Sequence, residues 1–145
     1  MPFMWADTLE AAERAHLLRL FVWSAASILA GTALYAWLRA GARRSDLLRH
    51  FAVQCIGWGL VDAAFAAVML PRIALRDVSS ATRLDRVLWL NIGLDGGYIL
   101  VGLALAIVGW RLARHLKLVG AGIGIVVQGA ALAVLDLVLA AQISR

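Results

Sequence analysis

The chain has 145 residues, 63% of them hydrophobic and 16% charged, with a formal net charge of +5 and a mean hydropathy of +0.84. That composition excludes an ordinary soluble domain and matches a polytopic membrane protein. The fourteen basic residues are spread over the ends of apolar runs rather than gathered in a patch, so lipid headgroups, not nucleic acid, are their expected contacts.

Residues 1–16 place Asp7, Glu10 and Glu13 ahead of the first apolar run, the opposite of the basic start of a secretory signal, so the first helix is expected to be retained. Phe3, Met4 and Trp5 followed by Asp7-Thr8-Leu9-Glu10 read as a capped, partly amphipathic helix lying at the interface before the chain turns into the bilayer. Four spans are predicted at about 17–38, 51–70, 87–110 and 118–141, each near the roughly 20 residues that cross a bilayer. Little chain remains outside them, so function is expected to reside in the bundle.

The first connection, 39–49, carries Arg39, Arg43, Arg44 and Arg49, and the third, 111–117, carries Arg111, Arg114 and Lys117. Both read as cytoplasmic by the positive-inside rule, which puts both termini outside. The second connection holds Arg72, Arg76, Arg83 and Arg86 but also Asp77 and Asp85. Pro71 ends the second span, and 73–86 is expected to form a short surface helix or loop.

An internal repeat is visible. Ile28-Leu29-Ala30-Gly31-Thr32-Ala33-Leu34 matches Ile99-Leu100-Val101-Gly102-Leu103-Ala104-Leu105 at five of seven positions, and the Trp58-Gly59 and Gln128-Gly129 pairs fall at nearly the same offset. The spacing predicts two helical hairpins in tandem, oriented alike across the membrane. Gly93 and Gly97, and Gly120 and Gly124, have the four-residue spacing that lets helix backbones approach in lipid.

Polar residues mark each span at steps of about four: Arg19, Trp23 and Ser27; Gln54, Trp58 and Asp62; Asn91 and Asp95 with Tyr98; Gln128 and Asp136. On the third span, Asn91, Asp95, Tyr98 and Gly102 fall within roughly 60° of arc, with Gly93 and Gly97 opposite. An ionisable group inside a span costs about 2.5–3.5 kcal/mol on insertion scales, so these groups are expected to face one another. With a rise of 1.5 Å per residue, Asp62, Asp95 and Asp136 lie roughly 4–10 Å from the midplane in the outer half. Arg19 is the nearest counter-charge and is expected on Asp95 or Asp136. Such a cluster reads as a self-satisfied structural network, as a site for a proton or cation, or as a contact with a partner chain or pigment.

Cys55 lies within the second run, so no internal disulfide is possible and core packing is expected. His50 and His115 sit at one membrane edge among arginines, where a solvated interfacial histidine is ordinary, and no haem or other cofactor is predicted. No spacing resembles a zinc site or a nucleophile with its base. Of six tryptophans, Trp5, Trp37, Trp89 and Trp110 fall near span ends as aromatic-belt residues, while the deeper Trp23 and Trp58 either line a ligand cavity or fill volume beside small residues.

Ile56-Gly57-Trp58-Gly59-Leu60-Val61-Asp62, Trp89-Leu90-Asn91-Ile92-Gly93-Leu94-Asp95-Gly96-Gly97-Tyr98 and the Gly122 to Gly129 stretch followed by Leu135-Asp136 resemble a family of small bacterial four-span membrane proteins of unknown function (DUF6992-like). The resemblance covers spans two to four. It implies a bacterial inner-membrane location, a four-helix bundle, and Asn91, Asp95, Tyr98, Gln128 and Asp136 as the motif, but no activity. Asp62 departs from it, since an amide is expected there.

The reading is an all-α integral membrane four-helix bundle, a single transmembrane domain over 1–145. The function expected is that of a non-enzymatic accessory or scaffolding subunit of a homo-oligomer or larger membrane complex. The alternative is a small proton- or cation-binding carrier or channel using the acidic cluster.

Overall fold

A computed structural model describes residues 3–41, 44–112 and 114–143; Arg43 of the first basic connection and both chain ends lie outside them, as do the side chains of Phe3 and Met4. Four helices run in chain order, α1 Phe3–Arg39, α2 Asp46–Met69, α3 Val78–Arg111 and α4 Leu116–Ile143. All four are long and apolar enough to cross a membrane. A 3-10 turn, Leu70–Arg72 with Pro71 in its first turn, ends α2 where the proline removes a helical donor.

Two expected boundaries move. The lead-in does not turn at residue 16: it continues into the first span as one helix of 37 residues. The cause is a single buried stripe, Leu9, Glu13, His16, Leu17 and Leu20, that runs through the junction with helical spacing, so the lead-in packs on the bundle. Likewise 78–86 is not a surface piece but the first turns of α3, which has 34 residues. Asp77 starts it by accepting the Ser80 N–H at 2.8 Å. At 1.5 Å per residue, α1 and α3 reach roughly 50–55 Å and overrun the apolar layer at the same end of the bundle.

The hairpins close through glycine. A Cβ on Gly31 would strike the Ala52 carbonyl and Cys55, and one on Gly102 would strike the Gly122 carbonyl and Val126. Gly59 meets Ser24 and Ile28, while Gly129 meets Asp95 and Ile99. These are the same contacts shifted by 70 or 71 residues, so the sequence repeat is also a repeat of packing. Leu29 and its counterpart Leu100 both face outward, 70% and 68% exposed, where lipid is the solvent.

Between hairpins, α2 and α4 run parallel, with Gly120 against the Leu47 backbone and Gly124 against the Gln54 side chain. Gly93 and Gly97 are different. A Cβ on either would meet nothing within 4 Å, so inside this chain they are not packing residues; Gly102, Gly109, Gly122 and Gly129 take that role on α3 and α4.

Symmetry between the hairpins is incomplete. Helix α1 also approaches α4, but the backbone of α3 comes close to α4 alone and makes no close approach to α1 or α2 among the described residues. Its buried positions, Ala81, Leu88, Asp95, Gly102 and Gly109, recur every seventh residue, a stripe wide enough for close contact with one helix. A cleft therefore remains between α2 and α3 toward the end where α1 and α3 begin. There the apolar core divides into two clusters, one around Leu17, Leu20 and Ala66 and one around Leu88, Leu139 and Ala140.

Candidate functional site

The cleft holds a chamber of about 260 Å³ to which every helix contributes: His16 from α1, Asp62 from α2, Asn91, Asp95 and Tyr98 from α3, and Asp136 from α4. The three aspartates and Asn91 thus converge as their four-step spacing requires. Asp62 and Asp95 are 6% and 4% exposed. Each keeps a buried carboxylate oxygen, Oδ2, without a hydrogen-bond partner. Unpaired buried carboxylate oxygens are costly, and a network left half-satisfied is a poor packing device.

The expected pairing of Arg19 with an aspartate is not made. Arg19 forms no ion pair among the described residues and buries Nη1 without a partner. His16 takes its place, with Nε2 3.3 Å from Asp136 Oδ1, an ion pair when the imidazole is protonated. The reason is register: His16 and Leu20 lie on the α1 stripe that faces α4, while Arg19 is rotated out of it. His16 escapes a sequence reading because it belongs to the segment assigned to the interface; the stripe Leu9, Glu13, His16, Leu20 is the signal that would place it inside.

Gln128 leaves the acidic cluster. It is 1% exposed, accepts from Trp23 Nε1 at 2.9 Å and donates to Ser27 Oγ at 3.2 Å. Trp23 therefore anchors the α1/α4 contact by its indole N–H. Ser24, fully buried, donates to the Phe21 carbonyl of its own helix at 2.8 Å. Gln54 lies on Gly124, apart from the aspartates. Trp58 meets Tyr98 edge to face with ring centroids 5.0 Å apart, and Tyr98 lines the inner chamber. His50 sits on the carbonyl of Asp46 in its own helix at 3.0 Å, and His115 is exposed at the start of α4.

Toward the end of the bundle a second cavity of about 150 Å³ adjoins the chamber. His16, Phe65, Asn91 and Asp136 line both and form the wall they share. The outer cavity is mostly apolar, with Leu17, Met69, Ile73, Leu84 and Leu88 in its wall and Glu13, Arg72 and Arg76 as its charged residues outside the shared wall. Arg76 grips the Glu13 carboxylate with both Nε and Nη2, the latter at 2.9 Å, tying the α2–α3 connection to α1. Those hydrogen bonds hold the Arg76 guanidinium above its usual range.

The motif residues Asn91, Asp95, Tyr98, Gln128 and Asp136 now have places, four of them in the chamber wall and Gln128 beside it. A family model described as a family of unknown function (DUF6992) matches residues 19–137. The chain belongs to this family. The matched stretch contains the three aspartates of the chamber, whereas Glu13 and His16 precede it. No curated protein and no solved structure matches the chain.

Proposed function

We propose that this chain is a small, non-enzymatic carrier or receptor that binds a proton or cationic ligand in the acidic chamber, in the outer half of a bacterial inner membrane, with both termini outside. One observation carries the reading. By the packing repeat, Asp95 corresponds to Ser24, Asp62 to Leu132 and Asp136 to Ala66. At each of these positions the other hairpin carries no acid, and the contact of Gly59 with the Ser24 carbonyl matches that of Gly129 with the Asp95 carbonyl, so this packing does not draw on the carboxylate. Three acidic groups that the fold does not need, two with unpaired buried oxygens, have a natural use in holding positive charge.

The test is flux and binding in proteoliposomes with the Asp95→Asn variant. The reading expects a pH- or cation-dependent flux or binding signal that the variant abolishes while its thermal unfolding is preserved. A wild-type protein with neither signal overturns it.

A second reading, an accessory or scaffolding subunit, is favoured by one feature: Gly93 and Gly97 lie exposed on α3 with open space beside them, a face another helix can approach. Native mass spectrometry of the protein extracted from its own membranes in mild detergent separates the two. A stoichiometric partner complex lost on Gly93→Leu supports the second reading.

A further inference from the structure

We infer that the cation taken by this chamber is an amphipathic organic monoamine, an inference that rests on the cation-binding reading above and names its ligand class. The acidic lining is spread over the chamber: among the described residues no three His, Cys, Asp or Glu side chains are grouped as a metal ion requires. A bare metal ion needs several ligands at about 2–2.5 Å. A substituted ammonium does not. It is bulky, donates to carboxylates on different sides, and is attracted to an aromatic face such as that of Tyr98, held in place by Trp58.

Size and polarity of the second cavity specify the remainder of the ligand. A site for a proton or a small inorganic ion needs no apolar room, yet the chamber adjoins, across His16, Phe65, Asn91 and Asp136, a cavity walled by Leu17, Met69, Leu84 and Leu88. An ammonium head between Asp62 and Asp95, with its hydrocarbon body passing between Phe65 and Asn91 and along that wall, places charge on charge and carbon on carbon. Of the three charged side chains on that cavity outside the shared wall, Glu13 and Arg76 pair with each other, and the third, Arg72, is itself cationic and disfavours a second ammonium on the ligand.

The experiment uses the full chain in nanodiscs with an octylamine bearing an aliphatic diazirine in its tail, and maps the photoadducts by mass spectrometry. The expected adducts fall on 65–73 and 84–88, are competed by unlabelled octylamine and not by octanol, and drop about tenfold or more in Asp62→Asn and Asp95→Asn. Leu84→Asn should weaken octylamine and leave methylamine binding, read by native mass spectrometry, unchanged. Adducts scattered over lipid-facing positions such as Leu29 and Leu100, indifferent to amine competition, overturn the inference. If methylamine binds through Asp95 and octylamine does not, the amphipathic class falls and the cation reading stands. If neither binds, the amine inference falls, and the Asp95→Asn flux test decides separately whether the site holds a proton or an inorganic cation.

Discussion

The two ends of the bundle follow opposite rules. Near the hairpin turns, glycines at 31, 102, 109, 120, 122 and 124 bring backbones together until a single methyl would collide. At the other end the α3 backbone stays clear of those of α1 and α2, and the space is lined by acids, an amide, a histidine and a phenol. Close approach and a polar chamber exclude each other, since a chamber exists only where small residues stop drawing the helices together. The contrast also separates two kinds of polar residue. Gln128 is fully paired and joins α1 to α4, whereas Asp62 and Asp95 each leave an oxygen unpaired.

Substitutions at the closed end should have the largest effect. Gly122→Leu drives a side chain into the Gly102 carbonyl and the Ala106 backbone, and is expected to lower stability by about 3 kcal/mol or more, or to prevent folding, measured by thermal unfolding in detergent. Gly97→Leu, with open space around it, should stay within about 0.5 kcal/mol in the monomer; a large loss there would break the distinction between the two glycine sets. Next comes Gln128→Leu, which strands the Trp23 indole N–H and the Ser27 hydroxyl and should cost roughly 1–3 kcal/mol, accompanied by a shift of tryptophan fluorescence.

Asp95→Ser sharpens the comparison because it copies the repeat-equivalent Ser24. Stability should change by less than about 1 kcal/mol, or rise, since an unpaired buried carboxylate is removed. A loss like that of Gln128→Leu would make Asp95 a structural residue.

Two smaller effects concern the connections. Asp77 is a fully exposed cap whose carboxylate is held below its ordinary value of 3.8 by hydrogen bonds from Ser80 and Ser79. Its folded-state value is depressed, so its contribution is present above the unfolded value and is lost as pH falls below about 4 through the folded one. A plot of unfolding midpoint against pH should therefore lose part of its acid limb in Asp77→Asn. Arg114 occupies a left-handed conformation with φ 50° in the α3–α4 turn, where the α1–α2 turn has Gly41 at φ 94°. Arg114→Gly should be neutral or stabilising by about 1 kcal/mol, read from the same unfolding curve.

The four spans, their alternation and the tandem hairpins were legible because hydropathy and backbone hydrogen bonding in lipid leave helices as the solution for such runs. The convergence of Asp62, Asn91, Asp95 and Asp136 was equally legible, since a four-step spacing puts residues on one helical face and burial cost turns those faces inward. Tertiary structure alone decided the rest. Rotation of each helix about its axis is set by which small residues meet, and that rotation sent Gln128 to Trp23, replaced Arg19 by His16 and turned Gly93 and Gly97 outward. It likewise left α3 with one helix at close backbone distance, opening the chamber, because a seven-residue stripe of buried positions has close-contact surface for a single neighbouring helix.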